Sequence, residues 1–196
     1  MKYYYDIEQN TDEWLKLRMG KFTASMFHEL FAKPTTKEYQ NAINKVVFER
    51  MTGELTESFS NGWTERGHLL EDEAVEAYEL KTFRKIVKVG FVELDEWVGC
   101  SPDGLNGDEG MLQVKCPKFS TLIDYHLSNE VPKDYSIQMQ GELWVTGRKW
   151  DDFYVYHPKL KPLLKRVERD EKMIEEIKVN VGKAIEEVER RIAKLK

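Results

Sequence analysis

The chain predicts an α/β fold, a central mixed β-sheet flanked by helices, in one domain spanning residues 1–196. Three observations carry this. Apolar residues recur at helical spacing from Trp14 to about Leu80, the period then shortens to that of strands between Lys85 and Cys116, and strand-like and helical stretches share the remainder. No Pro/Gly/Ser-rich linker and no change of composition divides the chain, whose length suffices for one core of ordinary size.

Thr11-Asp12-Glu13-Trp14 reads as a capped helix start with early acids, and Gly20 as its end. Thr23-Ala24-Ser25 opens a second helix that carries Met26, Phe27, Leu30 and Phe31 inward and stops before Pro34. A third runs over 37–51, with Ile43, Val46, Val47 and Phe48 on its buried face and Gly53 after it. Leu69, Leu70, Ala74, Ala77 and Tyr78 share one face of a fourth, over 63–80. The β-branched run 85–94, the short apolar run 97–100 and the alternating run 111–116 predict three consecutive strands, with Asn106-Gly107-Asp108 as the turn between the last two. Helices are predicted over 118–128 and 133–146 and strands over 150–157 and 163–168. Val167, Ile174, Ile177, Val181, Ile185, Val188 and Ile192 then read as the core-facing stripe of a long helix over about 170–195.

Hydrophobic residues make up 41% of the chain and charged residues 33%, which is the composition of a soluble globular protein. No apolar run reaches the ~18 residues needed to span a bilayer, and Met1-Lys2-Tyr3-Tyr4-Tyr5-Asp6 lacks the apolar stretch of a secretory signal, so no membrane partner and a cytoplasmic setting are expected. Cys100 and Cys116 have no metal-type spacing and read as buried strand thiols. The net charge of −5 argues against a protein whose whole surface binds DNA. The acids concentrate at 65–79 and 168–189, however, leaving Arg18, Lys21, Lys115, Lys118, Arg148 and Lys149 in neutral or basic surroundings, so a locally basic cleft is compatible with that charge.

The residues that bear on chemistry are Asp103, in Ser101-Pro102-Asp103-Gly104, and Gln113-Val114-Lys115, ten residues further on. Residues two apart in a strand share a face, so Gln113 and Lys115 present an amide and an ammonium side by side, with Leu112 and Val114 on the opposite face. If Asp103 ends the preceding strand, the intervening turn returns it beside Gln113. The three groups then suit a hard divalent cation, held by one or two carboxylates plus waters and phosphate oxygens. The pattern by itself is weak, and a plain Asp-Gly turn with a solvated lysine is the commoner reading of it.

The wider text resembles the bacteriophage lambda exonuclease family, the phage-type recombination exonucleases of the PD-(D/E)XK nuclease superfamily. The likeness spans nearly the whole chain. It rests on Trp14-Leu15-Lys16-Leu17-Arg18-Met19-Gly20, Thr23-Ala24-Ser25, Ala32-Lys33-Pro34, Cys100-Ser101-Pro102-Asp103-Gly104-Leu105 and Lys115-Cys116-Pro117. It continues through Gln138-Met139-Gln140, Leu143-Trp144-Val145-Thr146 and Glu168-Arg169-Asp170-Glu171-Lys172. The resemblance implies a restriction-endonuclease-like core. It implies metal binding by Asp103, the side chain of Gln113 and the carbonyl of Val114, with Lys115 catalytic and Glu71 holding a second ion or its waters, hence up to two Mg2+, or Mn2+, per site. It further implies a 5'-phosphate pocket formed by Arg18, Ser25 and Ser101 and lined by Gln140. Trp63 and the segment 34–39 would lie near bases at the duplex end, with packing the competing role for the tryptophan. His68, His126 and His157 show no metal spacing and read as structural.

The activity implied is Mg2+-dependent 5'-to-3' digestion of one strand of linear double-stranded DNA by a homotrimeric ring. It would leave 3' overhangs for a single-strand-annealing recombinase in a phage-infected or lysogenic bacterial cell. Position 113 departs from the family, where a glutamate is usual. An amide oxygen still coordinates Mg2+ but brings no charge, so metal binding weakens. Two readings stand: a natural Gln ligand, or a Glu-to-Gln form that keeps fold and DNA binding but is silenced, the latter favoured by the otherwise ordinary surroundings. The competing functions are accordingly a catalytically silent DNA-end-binding protein and a structure-specific or restriction-type endonuclease.

Overall fold

The computed structural model describes residues 1–56 and 62–196, with the side chains of 62–69 excepted. The elements follow in the order β1 (Lys2–Tyr4), α1 (Asp12–Arg18), β2 (Phe22–Thr23), a 3-10 helix (Ala24–Phe31), α2 (Lys37–Thr52) and α3 (Gly62–Thr82). Then come β3 (Ile86–Val87), β4 (Phe91–Glu93), β5 (Val98–Cys100), β6 (Gly104–Asn106) and β7 (Gly110–Lys115). The chain closes with α4 (Phe119–Ser128), α5 (Lys133–Thr146), β8 (Trp150–Val155), β9 (Leu163–Glu168) and α6 (Glu171–Leu195).

The strands form a five-stranded mixed sheet in the order β3-β6-β7-β8-β9 and a smaller four-stranded sheet, β1-β4-β5-β2, rather than one central sheet. The crossover from β7 to its parallel neighbour β8 is made by α4 and α5. Side-chain alternation then sorts the large sheet into two faces. Leu112, Val114 and Tyr154 pack against Ala74, Val75 and Tyr78 of α3; Phe153 and Val155 pack against Leu122 of α4 and Met139 of α5. The largest apolar cluster joins the 3-10 helix, α2, α5 and α6 to both sheets, with Phe22, Phe27, Ile43, Val46, Ile174 and Ile177 at or near zero exposure. Thr11, Thr36 and Asp170 cap α1, α2 and α6 with side-chain oxygens.

Four sequence expectations need correction. The run 85–94 is two strands in two sheets, because the chain changes sheet at Gly90. There the Gly90 amide donates to the Tyr4 carbonyl at 2.9 Å, and a β-carbon would lie 1.9 Å from the Ile7 carbonyl oxygen. Residues 104–106 form strand β6 and not merely an approach to a turn, because they pair with 110–112 as a tight hairpin. The helix predicted from Thr23 is a 3-10 helix, and its buried residues Ala24, Phe27 and Leu30 recur every third position, the period of that helix. Cys100 is a buried strand thiol as expected, whereas Cys116 lies beyond the end of β7 and is partly exposed. Trp63, His68 and Leu69 fall outside the described side chains.

Candidate active site

The β6–β7 hairpin brings the acid and the amide together. Gly104 pairs with Leu112, so Asp103, one residue earlier, falls opposite Gln113. Asp103 Oδ2 accepts a hydrogen bond from the Val114 backbone N–H at 2.7 Å and a second, short one from Gln113 Nε2. Lys115, partly exposed at the end of the same strand, holds its ammonium 5.0 Å from the centre of the Tyr135 ring. Asp103, Gln113 and the Val114 backbone therefore converge, and Lys115 follows two residues after Gln113 on the same strand with its ammonium over Tyr135.

Glu71, on α3, opens with Asp103 into one cavity of about 410 Å³ whose wall also includes Asp6, Glu8, Asp72 and Lys88. The segment before α1 is held there by Gln9, whose Nε2 donates to the carbonyls of Val89 and Pro102, both at 3.0 Å. Nothing in the sequence pattern placed that segment at the site. Among the described residues no three acid, histidine or cysteine side chains gather to hold a metal. Asp103 and Glu71 face one cavity, with the Gln113 amide at Asp103. Two carboxylates facing one cavity fit a hard cation that keeps waters and substrate oxygens in its shell; the Gln113 amide, which turns its nitrogen to Asp103, would have to turn over to add its oxygen.

A second cluster adjoins the first. The Arg18 guanidinium donates to Ser101 Oγ at 3.0 Å, Thr23 Oγ1 at 3.1 Å and Ser25 Oγ at 3.3 Å, and lies 4.2 Å from the centre of the Trp14 ring. Trp14 Nε1 in turn donates to Ser101 Oγ at 2.9 Å. Burial lowers the Arg18 pKa to about 10, with the nearby carboxyls of Glu142 and Glu49 opposing the shift. These hydrogen bonds hold the guanidinium with neutral hydroxyls, leaving a fixed positive fork suited to an anion. Arg18, Ser25 and Ser101 thus assemble, and Thr23 joins them.

Gln140 does not join them. Its Nε2 donates to the Glu168 carbonyl at 2.7 Å, and its Oε1 accepts from the Asp170 backbone N–H at 2.9 Å, tying α5 to the start of α6. Two residues along a helix is more than half a turn, and it is Gln138 that faces the site. Gln138 Nε2 donates to Gln113 Oε1 at 2.8 Å and to Glu142 Oε1 at 2.9 Å. Glu142, 1% exposed, and Asp151, fully buried, are two further acids that sequence reasoning missed. Among the described residues, Glu142 Oε2 and both carboxyl oxygens of Asp151 find no hydrogen-bond partner. Two signals could have found them: the i, i+4 pair Gln138/Glu142 beside Ile137, Met139 and Leu143 in one helix, and the doublet Asp151-Asp152 in an otherwise apolar strand.

Burial pushes the Glu142 carboxyl up to about 7, the hydrogen bond from Gln138 opposing it and the Asp103 charge adding to it. The Asp151 carboxyl is raised well above its ordinary value, first by burial and then by the charges of Glu142 and Asp103. A carboxyl raised on folding contributes stability while protonated and loses it as pH rises through the folded value. The expected result is a melting temperature that falls between about pH 4.5 and pH 7, where the folded Glu142 carboxyl still holds the proton that the unfolded one has lost, and a shallower fall in Glu142→Gln. Equal slopes in differential scanning calorimetry would rule Glu142 out as the source.

Residues 13–149 match the YqaJ-like viral recombinase domain. The alkaline exonuclease LHK-Exo of Laribacter hongkongensis superposes with a TM-score of 0.88 at 32% identity, over 94% of this chain and 96% of that one. The same enzyme in complex with dAMP gives 0.88 at 34% identity over the same shares. A phage related exonuclease from Haemophilus somnus 129PT shares the fold at a TM-score of 0.69, with 17% identity over 92% of this chain and 98% of that one. No curated protein sequence matches significantly. The likeness to lambda-type recombination exonucleases and the nuclease fold read from the sequence are both borne out, and the chain belongs to the family of YqaJ-like viral recombinase domains.

Proposed function

We propose that the chain is a DNA exonuclease that uses Mg2+, with Mn2+ as a substitute and up to two ions per site. It digests linear duplex DNA 5'-to-3' and leaves 3' overhangs for a single-strand-annealing recombinase. The observation that carries this reading is the continuity of the two clusters. Ser101, which binds Arg18, is two residues from Asp103 on the same loop, so an anion pocket and an acidic, cation-suited pocket adjoin. A 5'-terminal phosphate seated on Arg18, Ser25 and Ser101 positions the strand end, and a nearby phosphodiester then reaches Asp103. Asp103, Glu71, the Gln113 amide and the Val114 carbonyl would hold the cation, which when bound activates water and neutralises charge on the phosphate. Lys115 offsets the charge that builds on the phosphate oxygens. LHK-Exo, which is 32% identical, is named for alkaline exonuclease activity, and its complex with dAMP is that of a mononucleotide. A homotrimeric ring around the duplex would account for processive digestion by a protein of net charge −5. Among the described residues no helix is long and apolar enough to cross a membrane.

A specific observation favours a second reading, a catalytically silent DNA-end-binding protein. Gln113 turns its nitrogen, not its oxygen, toward Asp103.

The test is digestion of linear duplexes bearing 5'-phosphate or 5'-hydroxyl ends with Mg2+, alongside end-binding measurements. Arg18→Ala is expected to reduce the preference for 5'-phosphate about tenfold to a hundredfold, the worth of hydrogen bonds to a charged group. Unchanged preference would remove the end-phosphate role. Nicking of closed circular DNA would replace exonuclease by endonuclease.

A further inference from the structure

The Gln113 amide lies between two partners, and its two ends differ in kind. A primary amide offers an acceptor oxygen on one side and a two-hydrogen donor on the other. Here the donor end faces Asp103 Oδ2 and the acceptor end takes a hydrogen from Gln138 Nε2 at 2.8 Å. The second hydrogen of Gln138 Nε2 goes to Glu142 Oε1 at 2.9 Å. The chain of donors therefore has one direction at each link: Gln138 donates to Glu142 and to Gln113, and Gln113 donates to Asp103.

We infer that Gln138 is a positioning residue. It decides which end of the Gln113 amide faces Asp103, and therefore whether position 113 offers an oxygen or a nitrogen to a cation held there. The inference rests on the proposed metal site at Asp103. Cation binding needs the oxygen, because an amide nitrogen carries hydrogens and no free lone pair. Turning Gln113 alone would set its Nε2 against Gln138 Nε2, donor against donor. Both amides must turn together. Gln138 Oε1 then faces Glu142, which is satisfied only when that carboxyl carries a proton and donates it. Glu142 and Gln113 are both about 1% exposed, so water is largely excluded from repairing a mismatch, and an unmet donor or acceptor there costs its full desolvation. The upward shift of the Glu142 carboxyl by burial is consistent with a donating form near neutrality.

A glutamate at position 113 has no such conflict. Both its oxygens accept, so one takes the Gln138 hydrogen and the other remains for a cation. Gln138 thus opposes cation binding when residue 113 is glutamine and supports it when residue 113 is glutamate, and the sign of its effect reverses with the residue it touches. A merely structural role would not produce that reversal.

The experiment is isothermal titration with Mn2+, without DNA, of four whole proteins: the parent, Gln138→Met, Gln113→Glu and the double variant. Methionine is close in size to glutamine and donates nothing, and thermal melting checks that each variant folds. If Gln138→Met melts early, Gln138→Ala replaces it. Removing the donor from the parent is expected to tighten Mn2+ binding about five- to tenfold, the scale of one hydrogen bond. In the Gln113→Glu protein the same change is expected to leave binding equal or weaker. A change of the same sign and size in both backgrounds, or weaker binding in the parent background, overturns the inference. If the Gln113→Glu protein itself binds no Mn2+, the metal-site reading fails and the inference falls with it. That outcome is recognised before any Gln138 variant is compared.

Discussion

Gln113→Glu is expected to raise Mg2+-dependent digestion of linear duplex DNA on the order of 100-fold, at or above the upper range for losing a group that merely supports a metal ligand. The substitution adds a charge where the Gln113 nitrogen now donates to Asp103. In the parent, that nitrogen supplies hydrogens to Asp103 and so stands in part for a cation. With glutamate there, two carboxylates face each other across a mostly buried gap, Gln113 being 1% exposed, and like charges so placed repel strongly without a counter-ion. The variant should therefore melt lower than the parent in chelator and gain more stability on adding Mg2+. Equal digestion by both forms would establish glutamine as a working ligand. Loss of digestion in the glutamate form would remove position 113 from the metal site.

Asp152→Ala is expected to destabilise the fold by about 3 kcal/mol, lowering the melting temperature by roughly 6–12 °C for a chain of this size. Asp152 is 2% exposed and sits in β8 on the face opposite Asp151. Its carboxylate receives Arg166 in bidentate fashion at 2.8 and 2.9 Å and the Tyr78 hydroxyl at 2.6 Å. Tyr78 Oη accepts in turn from Asn106 Nδ2 at 2.8 Å, so one side chain links α3, β6, β8 and β9. The Arg166 side chain is 38% exposed, so solvent screens much of the ion pair. Most of the cost is instead the Tyr78 hydroxyl left buried without an acceptor. Asp152→Asn, which keeps that acceptor, should lose less than half as much. A loss under about 1 kcal/mol for the alanine variant would show that the network relaxes around the gap.

Where local spacing decides structure, the sequence was legible. The strand predicted over 111–116 alternates as expected, with Leu112 and Val114 packed toward α3. The hairpin returns Asp103 to Gln113 because both turn and register are short-range. Arg18, Ser25 and Ser101 were named through the resemblance, and the fold joins them although Ser101 is distant in sequence. Gln140 was misplaced because a helix buried on most sides from Ile137 onward carries no apolar stripe to say which way each residue points. Gln138, Glu142 and Asp151 were passed over for a related reason. Buried polar groups break the apolar pattern without announcing a partner, and partners from other elements are set by packing.

The sequence by itself determined the succession of helices and of the strands at 97–100, 111–116, 150–157 and 163–168, the strand that presents Gln113 and Lys115 together, and the family to which the chain belongs; the short strands β1, β2 and β6 it did not show. Periodicity and motif spacing are local and survive without coordinates. Only the tertiary structure decided that the strands form two sheets changing over at Gly90, that residues 5–10 wall the cavity shared by Glu71 and Asp103, and which way the Gln113 amide points. These depend on which groups meet across the fold. Whether a buried donor finds an acceptor is settled only where segments far apart in the chain come into contact.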